Sequence, residues 1–466
     1  MKFPITVVLA LLLLGQAGAQ LLPYERYESG GIPPDVYRER RLRLVVSHTD
    51  RAAILLLSAD VRNRQNDVDY EYRQNSNLLY LTGCTEPRCA LLLVPGGFTW
   101  NGTHSTELFF IEPRNPDRET WTGIRMGPTE AERVLGLRPA LEYSALKEVL
   151  DSLLRHRDTL YIASGLPTPS VELPIAGTRI EVEQLLRNWL HERFPGLILR
   201  TSLRTLAAMR EVKDTHELRL LQKAIDITLD AFEATMRNAK PGMAEYELEA
   251  IMEYHFRRAG AEDVGYPSII GSGTNSCILH YQTNRRTTRT GDLVLADCGA
   301  EYRGYTADIT RTFPISGRFS PEQRQLYLLV LEAQDSAIAS AQVGAPFRAT
   351  HRAAESVIAR GLMELGIIES PNEVRRYFMH GTSHYLGLDV HDAGTYGSLR
   401  TGTVITVEPG IYIPPGSPCD PKWWNIGIRI EDDILVTDSG PVNLSARLPR
   451  HPDAIEALMR ASPAAR

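Results

Sequence analysis

Residues 295–312 read LADCGAEYRGYTADITRT and place two aspartates, Asp297 and Asp308, on either side of a turn that contains glycine. Residues 293–299 alternate as a strand, and residues 304–313 can form the return strand. If the turn centres on residues 302–303, the aspartates lie directly opposite, with Cβ atoms about 4.5–5.5 Å apart. Facing like charges destabilise a strand pair unless a cation lies between them. The stretch therefore predicts two cation ligands, although aspartates pointing to water are an alternative.

Three further candidate ligands follow in short motifs. His384 occurs in MHGTSHYLGLDVHD, Glu408 in TVEPGIY and Glu431 in IGIRIEDD. Glu408 ends one apolar strand, and Glu431 shares a face with Arg429 in a second strand predicted over residues 426–435. Oxygen ligands in excess, with one imidazole and no cysteine pair, are what two neighbouring divalent cations require. If the five side chains converge, the chain is a two-metal hydrolase.

Histidines are concentrated in the same region. His380, His384 and His391 lie within twelve residues and are interspersed with glycines. A lone histidine is more often structural, but this density favours a site. His280, in CILHYQTN, is a weaker candidate. No Gly-x-Ser-x-Gly, P-loop, His-Glu-x-x-His or Cys-x-x-Cys motif competes with this interpretation.

The composition is that of a globular protein with more than one domain. The chain has 466 residues, 43% of them hydrophobic and 23% charged, and a formal charge of −6. This mildly acidic balance gives no basic surface for nucleic acid, so no nucleic-acid partner is expected. Five cysteines are too few for a dense disulfide framework; Cys84 and Cys89 could pair in an oxidising compartment, while the others are expected to be free thiols.

The N-terminus has the pattern of a signal peptide over residues 1–19. A positive start at Met1-Lys2 precedes the apolar run Val7–Leu14, and Ala17-Gly18-Ala19 fits a cleavage site before Gln20. The pattern predicts an exported, periplasmic or secreted, protein; a retained N-terminal anchor is the alternative. No comparable apolar stretch follows, so no stable membrane span is expected after cleavage.

Residues 36–200 are predicted to form an α/β domain because short β-like runs alternate with helical segments. The predicted strands are Ala53–Ser58, Ala90–Pro95, Leu108–Ile111 and Thr159–Ala163, and the predicted helices are Ser144–Arg155 and Ile180–Arg193.

A second domain is predicted over residues 204–450. Asp214 and Glu217 have the spacing of a capping box, followed by apolar residues at helical intervals until Lys240-Pro241-Gly242. Further helices are predicted at about 244–258, 321–341 and 350–365, and strands elsewhere. This pattern favours an α+β domain with helices flanking a largely antiparallel sheet.

These motifs resemble the pita-bread metallopeptidases, which include aminopeptidase P, prolidase, methionine aminopeptidase and creatinase. YRQNSNLLYLTGCTEPRCALLLVPG (72–96) resembles the N-terminal domain of the proline-specific branch, and HGTSHYLGLDVHD, TVEPGIYI and IGIRIEDD resemble its active-site signatures. The resemblance covers residues 36–445. It implies an α+β fold: an N-terminal creatinase/prolidase-like α/β domain followed by a pita-bread catalytic domain. It also implies two divalent metal ions, with Mn²⁺ preferred and Zn²⁺ or Co²⁺ as alternatives, bound by Asp297, Asp308, His384, Glu408 and Glu431.

Within this branch the resemblance favours an Xaa-Pro aminopeptidase, which removes the first residue from peptides with proline second. The 23-residue step from Glu408 to Glu431 is similar to that of aminopeptidase P. At the position of Asn77, family members often carry an acidic residue that reaches a neighbouring subunit. Its absence here argues against that contact, so a homo-oligomer is only one possibility.

The implied mechanism is attack on the carbonyl before proline by a hydroxide that bridges the two metals. Glu408 would transfer the proton to the leaving nitrogen, His391 would donate to the oxyanion, His280 and His380 would line the proline side, and Arg429 would orient the carboxylates. The alternatives are a prolidase that splits Xaa-Pro dipeptides, a non-catalytic binding protein with this fold, and a creatinase-like hydrolase. The intact ligand set disfavours the last two.

Overall fold

A computed structural model describes residues 31–163, 170–173 and 178–461. The predicted signal peptide, residues 1–19, lies outside the described residues. The chain divides into two compact units between Leu206 and Ala207. Among the described helices, none is long and apolar enough to cross a bilayer.

The N-terminal unit is built on a mixed sheet. Its strands are β1 Ala52–Leu57, β2 Asn63–Gln65, β3 Val68–Asp69, β4 Cys89–Trp100, β5 Thr103–Ile111, β6 Ala140–Glu142, β7 Thr159–Ile162, β8 Ser170–Leu173, β9 Thr178–Glu181 and β10 Ile198–Arg200. Its helices are α1 Pro34–Val46, α2 Ser76–Thr82, α3 Pro116–Thr122, α4 Pro128–Val134, α5 Leu146–Leu153 and α6 Val182–Arg193, and α7 Leu203–Arg210 spans the division. Six strands pair in the order β10-β7-β1-β4-β5-β6, while β2 pairs with β3 and β8 with β9.

The central strand β1 has the apolar sequence AAILLL and is almost fully buried. Leu55, Leu92 and Phe110 from neighbouring strands share one core with Val149 of α5 and Leu190 of α6. Strand β1 pairs antiparallel with β4 and parallel with β7, so the sheet is mixed. The predicted α/β pattern is therefore present. The predicted helix over residues 180–193 begins only at Val182, because Thr178–Glu181 pairs as a strand with β8.

Three side chains singled out in the N-terminal unit, those of Cys84, Cys89 and Asn77, are buried. Cys84 and Cys89 are both buried free thiols, and the Cys89 thiol donates to the Glu86 carbonyl at 3.3 Å. Burial raises the pKa of Cys89 well above its ordinary value, which disfavours the thiolate that disulfide exchange requires. Asn77 is also buried, and its Nδ2 donates to the carbonyl of Ala163 at 3.2 Å.

The C-terminal unit consists of small antiparallel sheets and flanking helices. Its strands are β11 Asp263–Val264, β12 Ile269–Ser272, β13 Leu293–Cys298, β14 Ala300–Tyr302, β15 Tyr305–Thr306, β16 Ile309–Pro314, β17 Val404–Val407, β18 Gly410–Ile413, β19 Ile426–Arg429, β20 Asp432–Thr437 and β21 Gly440–Asn443. Its helices are α8 Thr215–Asn238, α9 Glu245–Arg258, α10 Pro321–Ser340, α11 Ala349–Glu364 and α12 Pro452–Arg460. The sheet orders are β11-β14-β15, β12-β13-β16, β17-β20-β21 and β18-β19.

Helix α8 begins as its sequence predicts. The Asp214 carboxylate accepts hydrogen bonds from the backbone N–H groups of His216 and Glu217, and Glu217 accepts one from the N–H of Asp214. Its apolar stripe is buried, and the helix packs against α9, β14 and β15. The helix thereby supports the turn that links β14 and β15, which lies between Asp297 and Asp308 in the chain.

The predicted register between the two aspartates is wrong by two residues. Asp297 lies opposite Thr310, and the turn centres on Arg303 and Gly304. Both turn residues have positive φ, 52° and 82°, a conformation that glycine adopts without strain and that a two-residue hairpin turn requires. The return strand is also interrupted, because Asp308 lies between β15 and β16.

The single strand predicted over residues 426–435 is two strands. Residues 426–429 pair with β18, and residues 432–437 pair with β17. The chain changes sheets at Ile430 and Glu431, so period-two alternation does not relate Glu431 to Arg429. This change of partner leaves Glu431 outside both strands and facing the site.

Candidate metal centre

The nine residues predicted from the sequence line one cleft of the C-terminal unit, with a volume of about 580 Å³. Most come from strand ends or from the breaks between strands. Sheets that meet here thus bring together side chains that are far apart in the sequence. The nine residues are His280, Asp297, Asp308, His380, His384, His391, Glu408, Arg429 and Glu431.

Three of these residues form a compact donor group. Candidate ligand atoms of Asp308, His384 and Glu431 all lie within 4.8 Å of one another. His384 Nε2 lies 3.2 Å from Asp308 Oδ2 and 3.6 Å from Glu408 Oε1. The other ring nitrogen, Nδ1, lies 3.0 Å from the Tyr385 carbonyl oxygen. Since a carbonyl only accepts, Nδ1 carries a proton and Nε2 is the nitrogen available to a metal.

Asp297 is held from two sides. Arg429 Nη2 donates to its Oδ2 at 2.6 Å. The Tyr266 hydroxyl oxygen lies 2.6 Å from Oδ1 of Asp297 and 2.6 Å from Oδ1 of Asp308. The hydroxyl has one proton and cannot donate a full hydrogen bond to both carboxylates. The repulsion between the two aspartates is therefore only partly offset by Tyr266. Tyr266 was not predicted, because it occurs in VGYPS without a sequence pattern that would mark it as a site residue.

Thr310 was also missed. This fully buried hydroxyl donates to Glu431 Oε2 at 2.6 Å and accepts from Arg429 Nε at 3.1 Å. Its backbone lies opposite Asp297. A threonine in an apolar strand carries little signal by itself. With the turn centred on Gly304, however, the register would have placed it beside Asp297.

A chain of hydrogen bonds runs from Arg429 to His380. Arg429 Nη1 donates to the Tyr412 hydroxyl oxygen at 2.9 Å, and Tyr412 donates to His380 Nε2, 2.8 Å away. His380 Nδ1 then donates to the Gly381 carbonyl at 2.7 Å. Burial and the charge of Arg429 lower the pKa of His380 to about 3, which keeps the ring neutral. Both ring nitrogens are engaged, so His380 offers the cleft an apolar ring surface.

The remaining two histidines of the cleft, His391 and His280, have fewer contacts that fix their rings. The His391 ring meets the His384 ring edge-on, with centroids 4.4 Å apart. Burial and the neighbouring His384 lower the pKa of His391, so its ring is neutral at neutral pH. His280 is exposed and lies on the segment that follows β12.

The cleft concentrates more negative charge than its protein cations balance. Burial raises the pKa of Glu408 to about 7, and it raises the pKa values of Asp308 and Glu431 as well. Burial alone would lower the pKa of His384, but the hydrogen bond to Asp308 and the charges of Asp308 and Glu408 outweigh it and raise that pKa to about 9. Without a metal, the site therefore retains protons on carboxyl groups that are ordinarily ionised and on a histidine that is ordinarily neutral.

The donor set fits a pair of divalent cations. Asp297, Asp308, Glu408 and Glu431 carry four negative charges when ionised, and Arg429 compensates only one of them. Two divalent cations would bring four positive charges, enough to keep every carboxylate ionised at neutral pH. Carboxylate oxygens with one imidazole nitrogen are ligands suited to Mn²⁺, Zn²⁺ or Co²⁺.

This fold and site define a metallopeptidase of the pita-bread type. Residues 219–438 match the model of metallopeptidase family M24, and residues 37–161 match that of the aminopeptidase P N-terminal domain. The chain is 38% identical to the Xaa-Pro aminopeptidase of Escherichia coli over 440 residues, which cover 91% of this chain and 98% of the relative. The chain therefore belongs to the aminopeptidase P family of metallopeptidases.

Solved structures agree over the same span. The aminopeptidase PepP of Pseudomonas aeruginosa superposes with a TM-score of 0.84 at 35% identity, covering 92% of this chain and 98% of that one. A zinc-substituted E. coli aminopeptidase P in complex with product superposes with a TM-score of 0.82 at 37% identity and the same coverage. These similarities confirm the predicted fold class and family, and they associate the family with divalent metal ions.

Proposed function

We propose that the protein is an Xaa-Pro aminopeptidase that releases the N-terminal residue from peptides with proline in the second position. The observation that carries this proposal is the convergence of the five predicted ligands in one cleft of a chain from the aminopeptidase P family. The substrate class comes from the relatives, which are named Xaa-Pro aminopeptidases. A proline-specific enzyme is needed at such bonds because the proline nitrogen lacks a proton and its ring fixes φ.

In this proposal Asp297, Asp308, His384, Glu408 and Glu431 hold two divalent cations, with Mn²⁺ preferred. When bound, the cations would lower the pKa of water and polarise the scissile carbonyl. Arg429 and Thr310 support the arrangement, because each hydrogen bonds to a proposed ligand.

Glu408 is proposed to carry the proton of the reaction. Its carboxylate would accept a proton from the attacking water and deliver it to the proline nitrogen as the peptide bond breaks. In the metal-free site burial raises the pKa of Glu408 to about 7, so the carboxylate can hold a proton near neutral pH. Bound cations would lower that pKa, so the operating value depends on the loaded site.

The three remaining histidines are proposed to contact the substrate. His391 would donate a hydrogen bond to the oxyanion that forms at the carbonyl. His280 and His380 would line the proline side. The neutral ring of His380, held by Tyr412 and Gly381, suits contact with an apolar pyrrolidine.

Peptide length distinguishes this activity from that of a prolidase. We expect the metal-loaded protein to cleave an Xaa-Pro-Xaa tripeptide and to leave the Xaa-Pro dipeptide essentially uncleaved, since aminopeptidase P acts on peptides that continue beyond proline. Product analysis by chromatography, with and without chelator, measures both reactions. Cleavage of the dipeptide alone would assign the protein as a prolidase.

We also propose that residues 1–19 direct export and are removed before Gln20. The support is the sequence pattern alone: a positive start, an apolar run and small residues at the cleavage site. N-terminal sequencing of the protein from cell fractions of its host should find Gln20 in the exported fraction. A retained Met1 in a membrane fraction would favour the anchor instead. A homo-oligomer stays a prediction.

A further inference from the structure

The loop that follows β12 carries three residues that face the cleft. This cleft loop, defined as residues 272–286 and thus including the last residue of β12, contributes Leu279, His280 and Gln282 to the cleft lining. His280 is exposed, and within the described part of the chain its side chain makes no hydrogen bond. Its position over the cleft therefore depends on the path of the loop backbone.

A single buried carboxylate organises that path. Glu245, the first residue of α9, is completely buried, and one oxygen, Oε1, accepts from Ser272 N at 2.8 Å, Ser272 Oγ at 2.7 Å and Asn275 Nδ2 at 3.0 Å. Its other oxygen, Oε2, accepts from the Tyr281 hydroxyl at 2.9 Å and from Arg286 N at 2.8 Å. All five donors belong to the cleft loop, so one side chain holds its beginning, its middle and its end.

The division of these donors between the two oxygens makes a carboxylate necessary. Each oxygen accepts from a backbone N–H, one from Ser272 and the other from Arg286. An amide in place of the carboxylate has one oxygen and one NH₂ group, so either orientation turns a donor towards a backbone donor. Glutamine at position 245 therefore cannot satisfy both ends of the loop.

The loop also packs tightly against the strand that carries Arg429. A Cβ atom on Gly427 would lie 2.1 Å from the Ser276 carbonyl oxygen, and Gly427 N donates to Ser276 Oγ at 3.0 Å. Two residues further on, Arg429 contacts Asp297. The loop held by Glu245 thus lies directly against the strand that supports the proposed metal site.

We propose that Glu245 is a positioning residue for substrate binding: it holds the cleft loop so that Leu279 and His280 form the wall against which the peptide binds. The proposal rests on the proposed peptidase function. It is separate from metal binding, because Glu245 lies outside the cleft lining and contacts none of the five proposed ligands among the described residues. Loss of Glu245 should therefore weaken peptide binding and leave the metal site intact.

The test compares Glu245→Gln with wild-type protein on an Xaa-Pro-Xaa tripeptide. We expect kcat/KM to fall roughly 10- to 100-fold, chiefly through a higher KM, because a displaced loop misplaces the groups that contact the peptide. Metal content after reconstitution should equal that of wild type. Tryptic cleavage after the exposed Arg285 should become faster, because the loop is released.

Glu247→Gln is the matched control. Glu247 lies in the same first turn of α9 and accepts from Ala244 N at 2.7 Å, a bond that glutamine can also accept, so the substitution repeats the chemical change without removing a contact to the loop. It should keep the wild-type KM and tryptic rate. Should Glu245→Gln fail to fold, Tyr281→Phe removes one of the five donors, and a smaller change in the same direction is expected.

A wild-type KM and tryptic rate in Glu245→Gln, or equal effects in Glu247→Gln, would overturn the proposal, as would metal loss that accounts for the lost activity. Failure of wild-type protein to cleave the tripeptide would instead refute the proposed function. In that case the proteolysis comparison still decides whether Glu245 holds the loop.

Discussion

Replacing Glu408 by glutamine is expected to lower kcat by roughly 10²- to 10⁴-fold, the contribution of a well-placed general acid–base group. Glutamine keeps the size of the side chain but can neither accept the proton of the attacking water nor deliver it to the proline nitrogen. Because the same residue is a proposed ligand, metal content must be measured beside the rate. Steady-state kinetics on an Xaa-Pro-Xaa tripeptide, with element analysis of the same samples, gives both quantities.

Glu211→Gln provides the comparison for this variant. Glu211 is a completely buried glutamate of the C-terminal unit that accepts hydrogen bonds from Thr395 and Arg400 and lies outside the cleft lining. Its replacement should lower thermal stability and leave kcat within about threefold of wild type, because it removes a buried contact without touching the reaction. Near-normal turnover in Glu408→Gln with metal bound would refute the role proposed for Glu408.

Metal removal is expected to abolish activity and to destabilise the protein by an amount that grows with pH. In the metal-free fold, Glu408 has a pKa of about 7, above its ordinary value, so the stability its proton contributes is full below about pH 4.5 and is lost as pH rises through 7. His384, with a pKa of about 9, contributes stability below about pH 6.5 that is lost as pH rises through 9.

A metal must displace these protons to bind. Between pH 5 and 9 its stabilising effect should rise by about 1.4 kcal/mol per pH unit for each proton that binding displaces, and each rise should end above the pKa of the group that held the proton. The measurement is the difference in Tm between manganese-loaded and metal-free protein across this range. In this difference, the pH-dependent contributions of groups that the metal does not affect cancel. A difference that stays flat or shrinks with rising pH contradicts this account, and Glu431→Gln should reduce it at every pH.

The sequence allowed the donor set to be predicted because each ligand lies in a short motif with an unusual combination of charge, glycine and apolar residues. Asp297 lies near the end of the apolar strand β13, and Glu408 directly follows the apolar strand β17, where an unpaired charge would be costly. The predicted capping box of α8 is confirmed, since it depends on residues only three positions apart. Local chemistry of this kind can be inferred without knowing the tertiary fold.

The contacts among these residues could not be inferred in the same way. The relation between Asp297 and Asp308 depended on a turn whose centre was misplaced by one residue, which moves the pairing by two. Tyr266 and Thr310 are ordinary residues in ordinary contexts, and only the fold places them against the carboxylates. The contacts of Glu245 were even less predictable from the sequence, because its five hydrogen-bond donors belong to a loop that begins 27 residues later in the chain.

Two divalent cations are proposed to occupy one site formed by five side chains. Anomalous diffraction from crystals of the manganese-loaded protein would locate them. We predict two manganese peaks about 3.5–4 Å apart, bound by Asp297, Asp308, His384, Glu408 and Glu431. A single peak, or peaks bound elsewhere while Glu408 and Glu431 stay free, would refute a two-metal site at these residues.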